Sequence, residues 1–87
     1  MGNQPTVETA CQMMARSIQF LKREIEAKKR RRRQLEGTLQ KLLSQPNPDP
    51  ALVQDLKRHI QELETELESD RTDLSAFENE YAASCGP

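Results

Sequence analysis

Tryptophan is absent from this 87-residue chain, which carries one tyrosine, two phenylalanines and three glycines. Hydrophobic residues make up 34% of it and charged residues 31%. So few apolar and aromatic side chains exclude a layered globular core. They fit a long helix or coiled coil, whose apolar residues form a narrow seam. No run of about 18 apolar residues exists, so no membrane-spanning segment is predicted. The N-terminus lacks the apolar core of a signal peptide, which makes a cytosolic protein, or a fragment of one, the expectation. Met1-Gly2 with Thr6 meets part of the N-myristoylation pattern, a loose match on its own. Two cysteines, Cys11 and Cys85, do not make a disulfide framework or a metal site. A formal net charge of −1 gives the chain no bulk attraction to polyanions, but residues 22–33 are strongly basic and residues 62–80 strongly acidic.

The apolar residues that are present keep a strict period. Val7, Cys11, Met14, Ile18, Leu21, Ile25, Lys28, Arg32, Leu35, Leu39 and Leu42 follow one another in alternating steps of four and three. This is a heptad repeat with Cys11, Ile18, Ile25, Arg32 and Leu39 at a, and Met14, Leu21, Lys28, Leu35 and Leu42 at d. The pattern resumes at Val53, Leu56, Ile60, Leu63, Leu67, Asp70, Leu74, Phe77 and Tyr81. Between the two runs stand Pro46, Pro48 and Pro50. Each proline lacks the N–H that a helix interior needs and pushes the residue before it out of the α region. The first helix is therefore predicted over about 6–44, with Thr6 as its cap, and a loop over 45–49. Asp49 caps a second helix over about 50–84, with Pro50 at its first position and Gly86-Pro87 ending it.

So short a connection favours an antiparallel hairpin. Pairing residues whose numbers sum to 95 aligns every layer: Leu42 with Val53, Leu35 with Ile60, Lys28 with Leu67, Ile18 with Phe77, Met14 with Tyr81. The predicted fold is all-α, a single antiparallel two-helix coiled-coil hairpin over 1–87 with a short Pro-rich interhelical loop. Its middle is polar, and Lys28 and Asp70 lie in adjacent layers, where an ion pair would fix the register. Cys11 and Cys85 come near each other; in a reducing cytosol free thiols are expected, while oxidation would join them.

The run "KKRRRR", Lys28 to Arg33, lies opposite Glu62, Glu64 and Glu66. A charge clasp is predicted, pairing Lys29 with Glu64, Arg31 with Glu66 and Glu36 with Lys57. Arg30 and Arg33 stay on the outer face, Arg30 in one solvent-facing row with Arg16 and Arg23. Such a face is open to an acidic protein or an anionic membrane; the absence of stacking aromatics within the run argues against single-stranded nucleic acid. Off the seam, Ala10, Met13, Phe20 and Ala27, with Ala76 and Ala83 on the same flank of the second helix, make a shallow apolar face. Isolated exposed apolar residues are ordinary; the alternative is a self-association face that docks a second hairpin or another protein. His59 reads as solvated. No carboxylate pair, metal cluster, nucleophile–base pair or phosphate loop is found, so neither enzyme activity nor a cofactor is expected.

Two helices of this length with a short Pro-rich connection and both termini at one end resemble the Rho-effector homology-region-one (REM) repeat, most closely that of TOCA-type F-BAR adaptors. "LKREIE" (Leu21–Glu26), Asp49-Pro50-Ala51 and "DLSAFENEY" (Asp73–Tyr81) carry the resemblance, which covers about residues 8–83. Asn47-Pro48 stands where that family has Met-Gly, and the Gly-Ala-Glu-Asn motif of the kinase-type repeats is missing. The resemblance implies a cytoplasmic, membrane-peripheral adaptor element that binds a GTP-loaded Rho-family GTPase and acts on the actin cytoskeleton. The contact would run through Asp49, Pro50 and Ala51, with Asn47 beside them and Arg30 and Arg33 aiding encounter.

Overall fold

The computed structural model describes residues 7–86, with side-chain surroundings from residue 9 onward. Two helices, α1 (Val7–Leu43) and α2 (Pro50–Ser84), pack side by side as an antiparallel hairpin. The rod measures 67 × 30 × 14 Å. The Thr6 cap, the Met1-Gly2 pattern, the Val7 side chain and Pro87 lie outside what is described.

The turn follows from local chemistry. Past Leu43 the chain leaves the helix through two last bonds, Ser44 N–H to the Gln40 carbonyl at 3.1 Å and Gln45 N–H to that of Leu42 at 3.2 Å. The Ser44 hydroxyl donates to the Lys41 carbonyl at 2.7 Å. Pro46 and Pro48 supply no further donor. α2 then starts at a built cap: Asp49 is extended (φ −65°, ψ 116°) and its Oδ1 accepts from the Ala51 N–H at 3.0 Å. Pro50 follows at the first helical position, where no N–H is missed. At the far end the Cys85 and Gly86 N–H groups converge on the Tyr81 carbonyl, at 2.7 and 2.9 Å.

The heptad seam is the core. Ile18, Ile25, Val53, Leu56, Leu63 and Leu67 are buried, Leu67 completely. The other described seam residues are half-buried, with one exception. Phe77, expected opposite Ile18 inside the seam, is instead 36% exposed. A two-stranded seam leaves room for little more than one aliphatic side chain per knob. With Ile18 already filling the layer, the Phe77 ring turns outward over Ser17.

The polar middle forms the ion pair expected of it. Lys28 Nζ donates to Asp70 Oδ2 at 2.8 Å and lies 3.8 Å from Glu66 Oε2. Arg32, also on the seam, keeps its Nε buried without a hydrogen-bond partner, 3.6 Å from Glu36 Oε1. That separation is too long for a hydrogen bond.

The predicted charge pairing changes. The cross-helix clasp of Lys29 with Glu64, Arg31 with Glu66 and Glu36 with Lys57 is not formed. Lys29 pairs with Glu26, and Glu36 with Arg32, inside α1; Arg58 pairs with Asp55 and Glu62 inside α2. Partners three and four residues away on one helix are nearer than those across the flank of the coil. The cysteines, expected near each other as thiols in a reducing cytosol and joined on oxidation, stand in the joined form as a Cys11–Cys85 disulfide. The hairpin register sets their Cα atoms 5.7 Å apart, inside the range a disulfide spans.

Candidate interaction surfaces

The tip is the first surface. Asn47, Asp49, Pro50 and Ala51 are all exposed there, and Pro48 is half-buried between them. The Asp49 cap and the flanking prolines restrict the backbone of the loop. Sequence reading passed over two residues here. Leu43 and Leu52 flank the turn and are 45% and 47% exposed. The available signal was their place off the seam, beside Leu42 and Val53, where a coiled coil has no use for leucine. Arg30 and Arg33 are exposed but lie about 15–20 Å down α1 from the turn at the helical rise. They join no surface with the tip loop.

The second surface lies at the opposite end. Met13 and Phe20 are 59% and 56% exposed. Ala10, Met13, Met14 and Ser17 line one shallow groove with Phe77, and Arg16, Ser17, Phe20 and Leu21 line the next with the same ring. Phe77 is thus the α2 member of this patch. Ala76 and Ala83, predicted for that role, are exposed but line neither groove. By heptad register Asp73 and Glu80 stand between them and the seam, so carboxylates interrupt the apolar surface on the α2 side. The Cys11–Cys85 disulfide holds the helix ends together beside the patch, Cys11 falling between Ala10 and Met13 in sequence.

The third surface is charged. Arg16, Arg23 and Arg30 occupy successive f positions on α1, the side facing away from α2. All three are exposed, as is Arg33, and none makes an ion pair among the described residues.

Between these surfaces the Lys28–Asp70 pair acts on register. The hydrogen bond that Lys28 donates to Asp70 holds it above its ordinary 10.5; burial pulls the other way, and the charges of Asp70, Glu66 and Glu24 add to the rise. Lys28 therefore stays a cation at neutral pH and keeps the pair formed. A shallow groove beside it is lined by Lys28, Arg31, His59, Glu62 and Glu66. Its charges are mixed and already balanced across it. Among the described residues no three His, Cys, Asp or Glu side chains come together as metal ligands. No described helix is long and apolar enough to cross a membrane.

Compared with protein-family models, with curated proteins and with solved structures, the chain matches none.

Proposed function

We propose that this chain is a non-enzymatic protein-interaction module that presents its capped tip to its partner. The observation that carries the reading is the pair of exposed leucines, Leu43 and Leu52, framing a capped turn. Large apolar side chains placed in water beside an ordered loop are what a docking contact buries. The open surface of a two-helix rod offers no enclosed site for chemistry.

The partner we propose is a GTP-loaded Rho-family GTPase, linking the chain to membrane and actin remodelling as a cytoplasmic adaptor element. The likeness of Asp49-Pro50-Ala51 and the long helices to REM repeats supports this. In the reducing setting where such a GTPase works, glutathione would hold Cys11 and Cys85 as thiols. Both redox forms therefore belong in the test. Isothermal titration against GTP-analogue-loaded and GDP-loaded Rho-type GTPases should give heat with the first alone, weakened at least tenfold by Leu52→Asp. Equal or no binding in the two nucleotide states would remove the GTPase reading.

A second reading is self-association through Ala10, Met13, Phe20 and Phe77. The contiguous grooves around the Phe77 ring favour it. Light scattering on wild type and Phe77→Ser decides: a dimer converted to monomer supports this reading, and a monomeric wild type at high concentration excludes it.

A further inference from the structure

We infer that the outer ridge of α1 is a contact surface for anionic membrane. Met13, Phe20 and Ala27 occupy successive c positions; Arg16, Arg23 and Arg30 follow each of them by three residues, on successive f positions. Residues three apart are neighbours on a helix surface. The result is a straight ridge, about 25 Å long at the helical rise, in which an apolar or small residue alternates with an arginine. No acidic residue occupies a c or f position between residues 13 and 34.

Three observations point to a bilayer. The arginines form no ion pair among the described residues, as is also true of Arg31, Arg33 and Arg71, but only here do three such arginines share one row with apolar side chains. The two largest members of the apolar row, Met13 and Phe20, are more than half exposed. Apolar side chains flanked by arginines suit the headgroup–acyl boundary, where a ring enters the apolar layer and guanidinium groups meet lipid phosphate. The third is the overall charge layout. The acidic stretch of residues 62–80 lies on α2, across the seam from this ridge. Lying on its α1 edge, the hairpin turns its basic side to an anionic surface and its acidic side away. Arg23, Ala27 and Arg30 line neither Phe77 groove, so that half of the ridge lacks the pocket a protein hot spot requires, and its straightness matches a plane.

The ridge is separate from the tip; it shares Met13, Arg16 and Phe20 with the Phe77 grooves but not Arg23 or Arg30, so the arginine variants set against Phe77→Ser tell it apart from self-association. Co-sedimentation with phosphatidylcholine vesicles containing about one-third phosphatidylserine should show binding that pure phosphatidylcholine does not. Each basic residue near such a surface strengthens partitioning about fivefold. The triple variant Arg16→Gln, Arg23→Gln, Arg30→Gln should then bind about a hundredfold more weakly, and raising salt from 50 to about 300 mM should weaken wild type steeply. Phe20→Ser should reduce binding further at high salt, while Arg71→Gln on α2 and Phe77→Ser leave it unchanged. Circular dichroism on each variant confirms that the hairpin persists. No binding to anionic vesicles at low salt, or equal loss from Arg71→Gln, would overturn the proposal. So would tighter binding to an RNA oligonucleotide or to polyglutamate than to vesicles of matched charge.

Discussion

Replacing both Cys11 and Cys85 by serine cuts the covalent tie between the ends of the hairpin, and its effect can be worked from the structure. The bond spans 74 residues of sequence. In the chain-entropy account, closing a loop of that length removes about 15 cal/mol/K from the unfolded state, or about 4.5 kcal/mol at 25 °C, with about 2–4 kcal/mol typical of measured disulfides. A domain of this size has a total stability of roughly 4–13 kcal/mol, and here the core is one seam with six buried apolar side chains among the described residues. The disulfide is therefore of the same order as everything else holding the fold. With a urea dependence of about 1 kcal/mol/M for so small a protein, the unfolding midpoint should fall by about 2–4 M. Circular dichroism at 222 nm during urea titration reads this directly. The reduced wild type and the double serine variant should unfold together, well before the oxidised protein. Hydrogen exchange should show the loss first around residues 9–17 and 78–85, where the Met14–Tyr81 layer lies beneath the bond. Midpoints agreeing within about 0.5 M would refute the reasoning, as would two free thiols titrating in air-oxidised protein.

Other perturbations test single elements. Asp49→Ala removes the acceptor for the Ala51 N–H and should destabilise the hairpin by about 1 kcal/mol in thermal unfolding, whereas Asp49→Asn should leave it nearly unchanged. Gly37 sits mid-helix, and an added Cβ would meet nothing within 4 Å; Gly37→Ala should therefore stabilise by about 0.5–1 kcal/mol. Arg32→Leu replaces a buried Nε that has no hydrogen bond and only the Glu36 carboxylate at 3.6 Å with a side chain that the register sets against Leu63; a gain of about 1 kcal/mol in urea unfolding is expected, and a loss would show that the pair with Glu36 outweighs the buried nitrogen. Lys28→Met tests the central ion pair through pH. Because the folded-state pKa of Lys28 is raised above 10.5, its contribution is complete below the unfolded value and is lost as pH rises through the raised one. The stability gap between wild type and Lys28→Met should stay constant from about pH 7 to 9 and close only above about pH 10.5.

The hairpin was legible because three independent signals agree: the heptad steps, the proline cluster and the Asp49-Pro50 cap. Antiparallel pairing then follows from loop length alone, and Lys28 finds Asp70 as the layers require. What escaped reading depended on side-chain volume and reach. Phe77 is a seam residue by period, but its ring is too large for a layer already filled by Ile18. The arginine run looked bound to opposing glutamates because the rows match in number; intrahelical partners are closer, so Lys29 and Arg32 turn to Glu26 and Glu36. The thiol pair was legible in position, since 11 and 85 fall together in the same register, but two cysteines carry no sign of their redox state. The tip loop was located from its prolines. Leu43 and Leu52 were overlooked because period analysis discards residues off the seam, which is where an interaction surface must be.

Two helices that run antiparallel along one seam must bring distant residues together even when no disulfide forces them. Nitroxide labels at Gln19 and Ser75, in a protein carrying Cys11→Ser and Cys85→Ser, test this by pulsed dipolar spectroscopy. Helix axes about 10 Å apart predict a single narrow distance of roughly 20–30 Å once the label arms are added. A continuous helix through the proline cluster would separate the same labels by about 84 Å, at 1.5 Å per residue, and a distance near that value would contradict the hairpin.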